Sequence, residues 1–89
     1  MLEARVEGQV QGVFLRSFVN SHALRLGLTG YVTNLPDGRS VEVFAEGDRT
    51  RLQELLQLLR KGPPGAKVER VNAKWSAFEG RFPQFKVKY

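Results

Sequence analysis

The chain has 89 residues, with 14 Lys and Arg against 9 Asp and Glu, a net charge of +5 and no cysteine. That length points to one domain, residues 1–89, burying roughly 60–65% of its unfolded surface around one modest core. The composition excludes disulfides, zinc-thiolate sites, iron–sulfur clusters and thiol nucleophiles. With no apolar run of about 18 residues and no signal peptide at its start, it predicts a cytoplasmic protein without a membrane partner.

Residues 2 to 10 alternate. Leu2, Ala4, Val6, Gly8 and Val10 face one way, and Glu3, Arg5, Glu7 and Gln9 the other, the signature of a strand with one buried face. A loop over residues 11 to 15 then enters a helix of about 10 residues, on which Leu15, Phe18, Val19, His22, Ala23 and Leu26 fall at three- and four-residue spacing. Gly27 suits its C-terminal cap. Two β-rich runs follow, joined by "LPDG", a turn signal in which proline presets its dihedral and glycine accepts positive φ. In the second run Val41, Val43 and Ala45 share a face opposite Glu42, Phe44 and Glu46.

Asp48 is placed to cap a second helix, whose Leu52, Leu55, Leu56 and Leu59 form one stripe. "KGPPG" ends it, because prolines cannot continue the hydrogen-bond ladder. Residues 66 to 77 give a further strand around Val68, Val71, Ala73 and Trp75, and a last short strand follows around Phe85, Val87 and Tyr89. The predicted fold class is α+β: a ferredoxin-like split βαβ, in order β-α-β-β-α-β plus a short C-terminal strand, with two helices on one face of a mainly antiparallel sheet. That architecture hosts RNA binders, metal carriers, ligand modules and enzymes, so the site must decide the function.

The stretch "VEGQVQGVFLRSF" places Arg16 where a strand hands over to a helix. Helix starts expose unpaired N–H groups, and a flanking loop can aim further backbone donors at the same oxyanion. Gly12 lets the main chain curve tightly. Arg16 offers a planar fork of donors matched to two phosphate oxygens. On these residues alone a surface arginine competes evenly with an anion site, and Asn34 reads more readily as a turn residue tying "NLPDG".

Together "GQVQGVFLRSFV", "LGLTGYVTNLPDGRSVEVFAEG" and the closing "FKVKY" resemble the two signature regions and the C-terminal strand of the acylphosphatases, in order and spacing along essentially the whole chain. Where many members have Gly-Phe, this chain has Phe14-Leu15. The resemblance implies a cofactor-free hydrolase that splits the carboxyl–phosphate bond of acyl phosphates. It implies Arg16 and Asn34 as catalytic residues, and phosphate bound by the backbone N–H groups of Gln11, Gly12, Val13, Phe14, Leu15 and Arg16. An amide has no usable proton affinity near neutral pH, so Asn34 is expected to position the attacking water rather than deprotonate it.

Other residues are assigned blander roles. His22, the only histidine, is expected to pack or face solvent, Asp37 to belong to its turn, and Trp75 and the phenylalanines to serve core or sheet surface. Glu42, Glu46 and Asp48 lack metal-loop spacing, so neither metal nor cofactor is expected. The basic residues are spread along the chain, and their densest stretch, Arg81 to Lys88, alternates with apolar residues as a half-exposed strand would. No nucleic-acid partner is therefore expected, and the resemblance implies a small acyl phosphate, acted on by a monomer. Two alternatives remain at this level: a phosphate-binding module without turnover, and an RNA-binding domain of the same fold, whose stacking aromatics "RSVEVFAEG" does not supply.

Overall fold

The computed structural model describes residues 1–11 and 14–89. Its elements are β1 (Leu2–Gln9), α1 (Leu15–Arg25), β2 (Thr29–Asn34), β3 (Ser40–Glu46), α2 (Arg49–Lys61), β4 (Lys67–Trp75) and β5 (Phe85–Val87). They follow the predicted order. The five strands form one sheet ordered β4-β1-β3-β2-β5. Three of its pairings are antiparallel, and only β5 runs parallel to its neighbour β2.

The alternation read along β1 survives as burial. Leu2, Ala4 and Val6 point into the core with Val32 from β2 and Val41, Val43 and Ala45 from β3. The stripe of α2, Leu52, Leu55, Leu56 and Leu59, and the α1 residues Leu15, Val19 and Ala23 cover that face. Truncating any of these leucines would cost about 2–5 kcal/mol, since a cavity remains where the side chain was.

Backbone chemistry sets the ends of both helices. Past α1, Gly27 takes φ 71°, its N–H donates to Leu24 O, and Leu28 N–H donates to Ala23 O. That pair of bonds is a Schellman motif, and it turns the chain directly into β2. Within β2, Gly30 is required for a different reason: a Cβ there would run into the Phe44 carbonyl of the adjacent strand. At α2, the Asp48 carboxylate accepts from the N–H groups of Thr50 (2.9 Å) and Arg51 (3.3 Å).

The face of the sheet turned away from the helices is partly covered as well. The Arg81–Lys88 stretch is a strand only from Phe85 to Val87, while residues 79–82 lie over β2 and β3. Phe44 and Glu46 are buried there. The Phe44 ring stacks on Tyr31 with centroids 5.7 Å apart, and Phe82 meets both edge-on. The Glu46 carboxylate accepts from the N–H groups of Glu79 (2.6 Å), Gly80 (3.0 Å) and Arg81 (3.2 Å). Burial alone would push this carboxyl's pKa up, but those three donors outweigh it and hold the value below the ordinary range.

Candidate active site

Three elements converge at one end of the sheet: the start of α1, the end of β2, and the segment just past β5. Between them lies a cavity of about 250 Å³ lined by Val10, Phe14, Leu15, Arg16, Ser17, Asn34, Val87 and Tyr89. Arg16 and Asn34, 18 residues apart in sequence, therefore face one space. Phe14 and Leu15 lie beside them, whereas Gln11 is not among the described lining residues. Gly12 and Val13, the other two positions assigned to the phosphate cradle, lie outside the described residues.

The start of α1 differs from that of α2 in a way that bears on chemistry. The first ladder bond of α1 runs from Phe18 N–H to Phe14 O at 3.0 Å. The N–H groups of Leu15, Arg16 and Ser17 therefore have no acceptor within the helix. At α2 a carboxylate occupies the equivalent position. At α1, among the described residues, there is no side-chain cap and no acidic residue in the first turn. Among the described residues, Arg16 forms no ion pair with a side-chain carboxylate. The helix start and the guanidinium thus present uncompensated positive potential to the same cavity.

Phe14 shapes this corner. Its φ of 62° and ψ of 19° are left-handed, the only positive φ outside glycine among the described residues. For an L-residue this conformation costs roughly 1–2 kcal/mol. What it achieves is local: a left-handed residue followed by right-handed ones turns successive N–H groups toward one hollow, an anion-binding arrangement.

Asn34 closes β2, where its backbone pairs with Val41. Its side-chain Oδ1 is buried and has no hydrogen-bond partner among the described residues. A turn asparagine would spend that oxygen on its own hairpin. Here Asp37 does that work: its Oδ1 accepts from the N–H groups of Arg39 (3.0 Å) and Ser40 (2.9 Å), and its Oδ2 from the Ser40 hydroxyl (2.6 Å) and Arg5 Nη2 (2.9 Å). Asp37 thereby frees Asn34 to face the cavity.

The side-chain role of Gln11 is not visible in the sequence. Its Nε2 donates to Leu35 O (2.9 Å) and Ser40 O (2.8 Å), tying the loop before α1 to the hairpin that carries Asn34. No local spacing signals this, because its partners lie 24 and 29 residues away. Tyr89 was legible only as the last member of the Phe85, Val87, Tyr89 alternation, and it reaches the cavity beyond the end of β5. His22 stays apart, with its ring against Phe18 and its Nδ1 accepting from Arg25 Nη2. No described helix is long and apolar enough to cross a membrane.

An open-ended split βαβ sheet with an uncapped helix start, an arginine and a buried amide around one cavity defines a small α+β domain with an anion-receptive site. Comparison with known proteins places it more closely. The acylphosphatase family pattern matches residues 2–87. An acylphosphatase of Dehalococcoides mccartyi is 51% identical over 88 residues, covering 99% of this chain and 97% of its own. The crystal structure of acylphosphatase from Bacillus subtilis superposes with a TM-score of 0.90 at 37% identity, covering 100% of both chains. The structure of an acylphosphatase from Coxiella burnetii gives the same TM-score at 39% identity, covering 98% of this chain and 90% of its own. The chain belongs to the acylphosphatase family, and its enzymatic class is hydrolysis of the carboxyl–phosphate bond.

Proposed function

We infer that the cavity at the start of α1 performs this hydrolysis by in-line attack of water on a phosphoryl group held by backbone donors and Arg16. The observation that carries this reading is that the start of α1, uncapped among the described residues, faces the same space as Arg16 and as the Asn34 Oδ1, which has no partner among them. The phosphoryl oxygens lie on the N–H groups of the loop and first turn, from Gln11 through Arg16. The Arg16 fork takes two of those oxygens.

Asn34 holds the attacking water opposite the leaving oxygen through its amide. The water oxygen bonds to phosphorus as the bond from phosphorus to the acyl oxygen breaks, and the carboxylate departs with the electron pair. One water proton passes to a phosphoryl oxygen, and the other stays on the attacking oxygen, giving carboxylate and dihydrogen phosphate. A carboxylate leaves without protonation, so the site needs no general acid. Positioning and charge stabilisation supply the rate. The chain acts as a single-domain monomer on a small, diffusible acyl phosphate.

Release of orthophosphate from benzoyl phosphate, with phosphate monoesters as controls, tests the reading. Hydrolysis of the acyl phosphate with little or none of the monoesters is expected. Equal rates on both classes would overturn the leaving-group argument, and tight orthophosphate binding without release would make the site a binding module.

A further inference from the structure

The polar end of the cavity is accounted for by the helix start, Arg16 and Asn34, but the apolar side chain at its mouth is not. Phe14 is 85% exposed, and its backbone is the left-handed one described above. Two costs therefore fall on one residue: an L-side chain in a conformation that glycine adopts freely, and a phenyl ring left in water. A glycine would escape both while keeping the same backbone N–H. The ring takes no part in the hydrophobic core.

Its location gives it a use. Phe14 directly precedes the N–H groups of Leu15 and Arg16, and it lines the cavity together with Val87 and Tyr89. The cavity is also larger than the five heavy atoms of a phosphate require. An acyl group is joined to the phosphoryl group through a single bridging oxygen. With the phosphoryl oxygens on the start of α1, that group lies within reach of these walls.

We propose that Phe14 is a specificity-determining residue, its ring forming an apolar wall for the acyl group, so that the site prefers aromatic acyl phosphates over small ones such as acetyl phosphate. This rests on the placement of the phosphoryl group argued above. An aromatic ring against the Phe14 ring gains an edge-to-face or offset-stacked contact that a methyl group does not.

The test compares the full chain with Phe14→Gly and Phe14→Tyr. One arm measures kcat/KM for benzoyl phosphate and acetyl phosphate. A second measures binding of the non-hydrolysable benzoylphosphonate and acetylphosphonate, with orthophosphate as the reference anion. In both arms the benzoyl-to-acetyl preference should fall about three- to tenfold in Phe14→Gly, the scale of one aromatic pair, and persist in Phe14→Tyr.

An unchanged preference in Phe14→Gly would overturn the assignment. So would a loss shared equally by both acyl groups and orthophosphate, which would make the residue a loop-geometry element only. If the wild-type chain binds the phosphonates but hydrolyses neither acyl phosphate, the hydrolytic reading fails while the binding preference still decides the role of Phe14. If it binds none of the three anions, both readings fail.

Discussion

The guanidinium carbon of Arg16 lies 4.8 Å from the centroid of the Tyr89 ring, over its face. A guanidinium stacked this way keeps its N–H edge free, so the ring can fix the plane of the fork while the edge engages an anion. Tyr89→Ala should therefore raise KM for an acyl phosphate by roughly two- to fivefold, the scale of an exposed cation–π pair, and Tyr89→Phe should not. Steady-state kinetics on the two variants check this, and equal effects would mean that the hydroxyl matters rather than the ring.

Arg16 and Asn34 should separate binding from turnover. Arg16→Gln removes charge and fork geometry together, so substrate and orthophosphate should both bind more weakly. Asn34→Ala should leave orthophosphate binding nearly intact while slowing turnover by roughly 10²-fold or more, the scale for losing a positioning or charge-stabilising group. Calorimetry with orthophosphate beside single-turnover rates distinguishes the two. Near-normal turnover in Asn34→Ala would leave its buried oxygen without a catalytic use.

Gln11→Leu should cost stability and activity together. The two carbonyls it releases retain backbone donors, Ser40 O from Leu35 N–H (2.9 Å) and Leu35 O from Gly38 N–H (3.5 Å). The penalty is then the net worth of two hydrogen bonds, roughly 1–2 kcal/mol, or a melting temperature lower by about 4–16 °C for a domain of this size. Turnover should fall further than the folded fraction does, because the loop is no longer tied to the hairpin bearing Asn34. A variant that melts early but retains full activity per folded molecule would limit Gln11 to stability.

Acid should weaken the hairpin through Asp37. The Ser40 hydroxyl, then the Arg39 N–H, with further donation from Arg5 and the Ser40 N–H, lower this carboxyl from 3.8 to about 2. A group depressed on folding contributes its stability above the unfolded value and loses it as pH falls through the folded one. The loss should run from about pH 4 down to about pH 2. Asp37→Asn should be less stable than wild type at neutral pH but fall less steeply across that window. Parallel stability–pH curves for the two chains would assign the acid sensitivity elsewhere.

Turnover should be insensitive to chelator and to His22. The proposed donors are backbone N–H groups, a guanidinium and an amide, none of which titrates near neutrality. A broad rate plateau from mildly acidic to neutral pH is therefore expected, unchanged in His22→Gln and in excess EDTA. A rate profile that His22→Gln alters, or activity lost to chelator, would overturn this.

What could be read from the residues follows from the range of the interactions involved. The strand alternation from Leu2 to Gln9, the leucine stripe of α2, the Asp48 cap and the Gly27 exit are local patterns, and each appears where the sequence places it. Bringing Arg16 and Asn34 together needed the family resemblance, since nothing in their spacing says that β2 ends beside the start of α1. The alternation also set Phe44 and Glu46 on the face away from the helices but could not show that residues 79–82 cover it. The donors to Glu46 lie 33 to 35 residues away, and a glutamate on a strand with no visible partner looks like any solvated one. The parallel docking of β5 on β2 was equally hidden, because a three-residue strand carries no register information.

That docking has a kinetic consequence. The described cavity walls come from Val10, from Phe14 to Ser17, from Asn34, and from Val87 and Tyr89, so the last of them is in place only once β5 has paired with a strand more than 50 residues earlier. Contacts of such sequence separation form late, after the loop-closure entropy has been overcome. Partly folded chains that have assembled only the β2–β3 hairpin and the helices would carry every polar group of the site yet present an open trough. On refolding, the return of activity should accordingly coincide with the final cooperative step rather than run ahead of it.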